Sequence, residues 1–188
     1  RVNAVEFSVD GTLIATATDV GIVKIWDVTK ATFIMTRTVT KYGSVHLGRL
    51  CCLRRLKDQD VFVGGTDEGV LFRFAIDRSP DGYIEFERVH AHGQQITDLL
   101  VGSSPDEMLF ASADGSVVRL SPQAVNRVGR CGQGSARAAK PIGSSGNVAV
   151  ICESQAAGLS ANTLQVFGQK QPIDVVRYGP TLPDRCVS

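Results

Sequence analysis

Val2-Asn3-Ala4-Val5-Glu6-Phe7-Ser8 alternates apolar and polar side chains and stops at Val9-Asp10-Gly11. Leu13-Ile14-Ala15-Thr16-Ala17-Thr18 follows and stops at Asp19-Val20-Gly21, and Ile22-Val23-Lys24-Ile25-Trp26-Asp27 resumes the run. The turns fall every few residues and carry Asp and Gly. Alternation has a period of two, whereas an amphipathic helix needs apolar residues three and four apart. The stretch is therefore a strand meander, and residues 33–39 supply a fourth run.

The four-run unit recurs. Runs at 50–56, 61–66, 70–77 and 83–89 make a second set, and 96–101, 108–113, 117–121 and 124–128 a third. A fourth set reads as 138–142, 147–152, 163–167 and 173–178. The hairpins Asp19-Val20-Gly21, Asp67-Glu68-Gly69 and Asp114-Gly115 mark the repeat, at a spacing of about 47 residues. Glycine belongs there because tight hairpins need a positive φ. One four-stranded sheet cannot bury two apolar faces alone, so such sheets must stack. Val5, Phe7, Leu13, Ile14, Ile22 and Ile25 are assigned to the core of the first unit. The best helical candidate, 137–140, is short and meets Pro141.

These residues carry a resemblance. Val23-Lys24-Ile25-Trp26-Asp27 is similar to the strand that ends in Trp-Asp in the WD40-repeat β-propeller family. His92 before Gln94-Gln95-Ile96-Thr97-Asp98 resembles that family's histidine ahead of an innermost strand, and Phe110-Ala111-Ser112-Ala113-Asp114-Gly115 its second strand and turn. The resemblance implies that His92, Ser112 and Asp114 form a structural hydrogen-bond group, and that Trp26 and Asp27 are the repeat signature. Trp26 stands in the first repeat only, where Val20 takes the aspartate position; the second repeat has Phe74 and Glu68 at the two positions. The expected fold is all-β. It is a WD40-like propeller segment of about four four-stranded antiparallel blades, part of a larger propeller of about seven. Blade limits are expected near 1–44, 45–91, 92–128 and 129–178, with 179–188 a linker or extended tail. Val61-Phe62-Val63-Gly64-Gly65-Thr66-Asp67-Glu68-Gly69, His92 and Ser112-Ala113-Asp114-Gly115 are also similar to mid-propeller repeats of dynein intermediate chains.

The 188 residues carry 20 Lys+Arg and 19 Asp+Glu, so a formal charge of +1 gives no global pull toward nucleic acid. No apolar run approaches the ~20 residues of a membrane-spanning helix, and no membrane insertion is expected. The amino end carries no signal-peptide pattern and no initiator Met, which reads as the interior of a longer protein. Five cysteines (Cys51, Cys52, Cys131, Cys152 and Cys186) without a C-x-x-C pair read as unpaired thiols in a reducing compartment. The expected location is intracellular: cytoplasmic, with the nucleus as alternative.

Catalytic chemistry finds no support. His90-Ala91-His92 has only His46 as a further imidazole and lacks a carboxylate set for a metal. Asp98 reads as a turn-facing or capping acid. Gly129-Arg130-Cys131-Gly132-Gln133-Gly134-Ser135 has Ser where a phosphate loop needs Lys, and no G-x-S-x-G elbow occurs. No enzyme activity, cofactor or metal is expected. After Pro122 the chain holds 7 of the 20 basic and 3 of the 19 acidic residues. Arg127, Arg130, Arg137 and Lys140 form a basic group in what reads as a loop from 129 to 136 and its flanks. Loops on a rigid sheet scaffold carry binding. The expected function is thus a non-catalytic scaffold docking other proteins of a larger complex. RNA binding through 127–140 is the alternative.

Overall fold

The computed structural model describes residues 1–38, 40–41, 45–46, 48–76, 78, 84, 86–101, 108–121, 124–130, 135–142, 147–152, 155–159 and 166–172. Among these residues every regular element is a strand. The first sheet is built from β1 (Val2–Phe7), β2 (Leu13–Thr18), β3 (Ile22–Asp27) and β4 (Thr32–Thr38). The short pair β5 (Thr40–Lys41) and β6 (Val45–His46) follows. The second sheet holds β7 (Leu50–Arg55), β8 (Val61–Thr66), β9 (Val70–Ala75) and β10 (Glu87–Ala91). β11 (Ile96–Val101), β12 (Met108–Ser112), β13 (Ser116–Ser121) and β14 (Ala124–Arg130) make the third. The fourth consists of β15 (Ala136–Ile142), β16 (Asn147–Cys152), β17 (Gln155–Leu159) and β18 (Val166–Pro172). Within each four-stranded sheet, strands lie side by side in chain order, and the registered neighbours run antiparallel. The fold is that of WD40-like propeller blades.

The turns explain the order. Gly21, Gly69 and Gly115 have φ of 72°, 79° and 79°, a region that L side chains avoid. Gly69 is doubly required, because a Cβ there would lie 2.5 Å from the Gln94 carbonyl oxygen. The β1–β2 turn is held by Asp10, whose Oδ1 accepts from the Thr12 N–H (3.0 Å) and hydroxyl (2.8 Å). Leu13 N–H donates to the Ser8 hydroxyl oxygen (2.9 Å).

The chain divides into two compact units, Arg1–Ile96 and Thr97–Ser188. In the first, one face of the first sheet (Leu13, Ala15, Ala17, Val23, Ile25) packs on Leu53, Phe62, Phe72 and Phe74 of the second. The small alanines let the sheets approach, and the phenylalanines fill the gap. Phe62 stacks on Phe74 at 5.2 Å, and Phe86 meets Phe72 and Phe74 edge-on. Offset and edge-on ring pairs add to the area buried. Gly64 admits the Phe72 ring: a Cβ there would sit 2.2 Å from Cζ. In the second unit Ala111, Val117, Ala136, Ala139, Val150 and Cys152 form the core.

Polar stitches accompany this packing. Asn3 Nδ2 donates to the Leu50 carbonyl (2.8 Å), and Thr97 Oγ1 donates to the Ala136 carbonyl (2.6 Å). Each runs from the second residue of one sheet's first strand to the first residue of the next sheet's first strand. Asp98 is buried; its carboxylate accepts from the Leu99 N–H (2.9 Å) and from the Ala139 N–H (3.1 Å). It sits inside a strand and ties β11 to β15, not at a turn as the spacing suggests.

Several expectations are corrected. The loop expected through 129–136 is shorter, since β14 runs to Arg130 and β15 begins at Ala136. The helix considered at 137–140 is strand, and Pro141 pairs with Val148 at the end of the sheet, where an edge strand can spare an N–H. A strand, β17 (Gln155–Leu159), lies between the runs expected at 147–152 and 163–167. Gln155-Ala156-Ala157-Gly158-Leu159 carries no β-branched residue, and its strand form comes from pairing with β16. β18, as described, runs Val166–Pro172. The run expected at 173–178, the tail 179–188, Cys131 and Cys186 lie outside the described residues. Cys51 and Cys52 keep reduced thiols. Cys152 is disulfide-bonded, against the expectation of unpaired thiols, and its partner lies outside the described residues.

Candidate functional site

The first sheet has a second face. Strand alternation sends Ala4, Ala15, Ala17, Val23 and Ile25 to the second sheet, so Val5, Phe7, Ile14, Thr16, Lys24 and Trp26 point the other way. Register sets them in two rows: Val5 opposite Thr16 opposite Lys24, and Phe7 opposite Ile14 opposite Trp26, with Phe33 beside Trp26. Val5, Phe7, Trp26 and Phe33 are 48%, 51%, 37% and 49% exposed. This corrects the assignment of Val5 and Phe7 to the core; Ile14 and Ile22 are half-buried. An apolar face of this kind is covered in the second sheet by the neighbouring sheet.

The face is ordered by its own contacts. The Trp26 indole N–H donates to the Thr16 hydroxyl (3.2 Å), which donates to the Lys24 carbonyl (3.3 Å). Trp26 and Phe33 meet edge-on at 5.4 Å. A groove of about 380 Å³ runs along Val2, Thr16, Ile22, Lys24 and Trp26. Asp27, next to Trp26, turns away to end the strand. It accepts from the Thr29 hydroxyl (2.6 Å) and the Lys30 N–H (3.0 Å), and these bonds lower its carboxyl to about 2. The repeat signature thus splits into a surface residue and a turn-closing residue.

Ser112 and Asp114 meet in the second unit, where the Ser112 hydroxyl donates to the Asp114 carboxylate. Asp114 also accepts from the Ser116 N–H (2.9 Å) and hydroxyl (2.8 Å), closing the β12–β13 hairpin. His92 belongs to the first unit, where its backbone N–H donates to the Gly69 carbonyl (2.7 Å). At the corresponding hairpin of the second sheet the acid that acts is Asp67, which accepts from the Arg49 N–H (2.7 Å) and Nε (2.8 Å). Glu68, expected at that position, is exposed.

Arg127 and Arg130 lie on β14, the last strand of the third sheet, and Arg137 and Lys140 on β15, the first of the fourth. Arg137 is exposed; the side chains of the other three lie outside the described residues. One further polar site escaped the motif reading. Arg78 donates to Asp10 (2.7 Å and 3.2 Å) and to Asp60 (2.6 Å), and Asp60 accepts from the Val9 N–H (2.8 Å). It joins the turns of the two sheets and holds the Asp10 carboxyl well below its usual range. The three residues are 68 and 18 positions apart, so no local pattern signals them. Among the described residues no group of His, Cys, Asp and Glu could hold a metal ion.

No family profile matches the chain. No curated protein matches it. Among solved structures 1412 chains match, a number too large to select one function. One of them is a chain in the crystal structure of the mitotic checkpoint complex, with a TM-score of 0.69 and 19% identity over 88% of this chain. This chain spans about half (50%) of that one. At such identity the likeness speaks for the fold, a WD40-like β-propeller, and fold alone does not carry function.

Proposed function

We propose that the chain is a non-catalytic scaffold, part of a larger propeller of about seven blades, which docks other proteins within a multi-subunit assembly. The observation that carries this reading is the series of four-stranded antiparallel sheets, alike in fold to a chain of a multi-protein complex and suited to hold loops on a rigid frame. The blade limits 1–44, 45–91, 92–128 and 129–178, the tail 179–188, and the His92, Ser112 and Asp114 group belong to the same proposal. A dynein intermediate chain-like identity is its finer form and rests on Val61 to Gly69, His92 and Ser112 to Gly115 alone. An intracellular, cytoplasmic location fits the reduced Cys51 and Cys52. The disulfide at Cys152 pulls the other way, so its redox state in cells is the quick check.

RNA binding through Arg127, Arg130, Arg137 and Lys140 is the competing reading, and it draws on charge alone. A photoreactive side chain placed at Phe33 tests the two. Discrete protein adducts from Phe33, with none from the same group placed at exposed Lys57, are expected. Adducts to RNA from position 137, with none to protein from Phe33, would overturn the scaffold reading.

A further inference from the structure

We infer that the disulfide at Cys152 is a redox latch of the second unit: the unit closes fully only once the bond has formed, and the closed core then shields the bond from reductants. The inference stands apart from the scaffold reading. Cys152 ends β16, an inner strand of the fourth sheet, and stands opposite Ala136, where β15 begins. It is fully buried, among Ala111, Val117, Ala136, Ala139 and Val150. Three of these five are alanine, and none is larger than valine. The partly buried Leu100 and Leu109 pack against them. The cluster has nothing like the Phe62, Phe72 and Phe74 stack of the first unit. Small side chains remove little apolar surface from water, and a cross-link supplies what such a core lacks.

The shielding follows from where the sulfur lies. A thiolate breaks a disulfide by attacking one of its two sulfurs and expelling the other. Attack on Cys152 Sγ needs access, and no part of that residue is exposed. Attack on the other sulfur would expel Cys152 as a thiolate into an apolar core, where burial disfavours the charge. Neither thiol of the first unit is a ready attacker. Cys51 and Cys52 are reduced, burial pushes the Cys51 thiol up, and Cys52 lies buried. The five cysteines of the chain then leave Cys131 or Cys186 as the other half of the bond. Its formation removes two electrons and two protons from the pair of thiols. A small disulfide such as oxidised glutathione takes both and leaves as two thiols. This exchange is fast in the open unit, and closure keeps the state it reached.

Hydrogen exchange of the full chain, read by mass spectrometry, tests the latch. The chain is refolded from denaturant with oxidised or with reduced glutathione, and the two samples are compared. Amide protection across β13, β15 and β16 falls about a hundredfold in the reduced sample, while β2, β3, β8 and β9 keep theirs. Dithiothreitol reduces the folded, oxidised chain at least about tenfold more slowly than the same chain in denaturant. Cys152→Ala keeps a small apolar side chain in the core; it exchanges like the reduced sample and ignores both forms of glutathione. One of Cys131→Ser and Cys186→Ser does the same, and the other behaves like the parent. Equal protection in the oxidised and reduced samples overturns the latch. Loss of protection in both units alike overturns its confinement to the second. Reduction as fast in the folded chain as in the unfolded one overturns the shielding.

Discussion

Trp26 on β3 and Phe74 on β9 occupy matching places in two neighbouring sheets, each opposite the second strand's apolar residue, Ile14 or Phe62. Phe74 is 2% exposed, and Trp26 is 37% exposed. Nothing local to either strand separates them, since both lie in apolar runs that follow a glycine hairpin. The separation comes from the neighbour: the second sheet's face is covered by the first sheet, and the first sheet's own outer face is open. Burial in stacked sheets is a property of the stack and not of the single strand.

Truncating Phe74 to Ala removes a ring from the four-phenylalanine cluster and destabilises the chain by about 3–5 kcal/mol, whereas Trp26→Ala costs about 1 kcal/mol or less. Denaturant melts of the two variants check this, and equal losses would erase the distinction between the faces. Gly64→Ala pushes a methyl into Phe72 Cζ, which the other rings hold in place. Its expected cost is about 1–3 kcal/mol. Thr16→Ala at the matching open position costs about 0.5 kcal/mol. Thermal melts of this pair sharpen the comparison, because the first tests only whether the interface is full.

Asp114→Ala removes the acceptor for Ser112 and Ser116 in a partly buried hairpin and is expected to cost about 1–2 kcal/mol. Hydrogen exchange at the Ser116 amide should rise with it, and an unchanged melt and exchange rate would strip Asp114 of its role. The smallest effect is that of Asp27, whose carboxylate accepts within its own turn, from Thr29 and Lys30. Its carboxyl is lowered from 3.8 to about 2, so its contribution is present above 3.8 and is lost as pH falls through about 2. Asp27→Asn should flatten that part of the acid melting profile and leave both faces unaffected. A profile identical to the parent's would mean the turn bonds contribute nothing.

The strand meander was legible from 2 to 121 because apolar alternation and glycine hairpins coincide there. Beyond Pro122 the pattern thins. Strand β17 has alanine and glycine where strands usually carry branched residues, so only its neighbour reveals it. The hairpin acids were legible as turn formers, but not which of two adjacent acids acts: Asp67, not Glu68, reaches Arg49. The exposure of Val5 and Phe7 was illegible for a physical reason. Alternation reports that a side chain leaves the sheet plane, and both faces of a stacked sheet are apolar. The Arg78, Asp10 and Asp60 contact was illegible because its residues stand 68 and 18 positions apart in the chain.

Hydroxyl-radical footprinting bears most directly on the open face. Oxidation of Phe7, Trp26 and Phe33 is compared between the isolated chain and the native assembly recovered from cells through a tag on this chain. The three side chains should oxidise readily in isolation and be protected in the assembly, with Phe62, Phe72 and Phe74 unmodified in both. Equal oxidation of Phe7, Trp26 and Phe33 in the two samples would contradict the account.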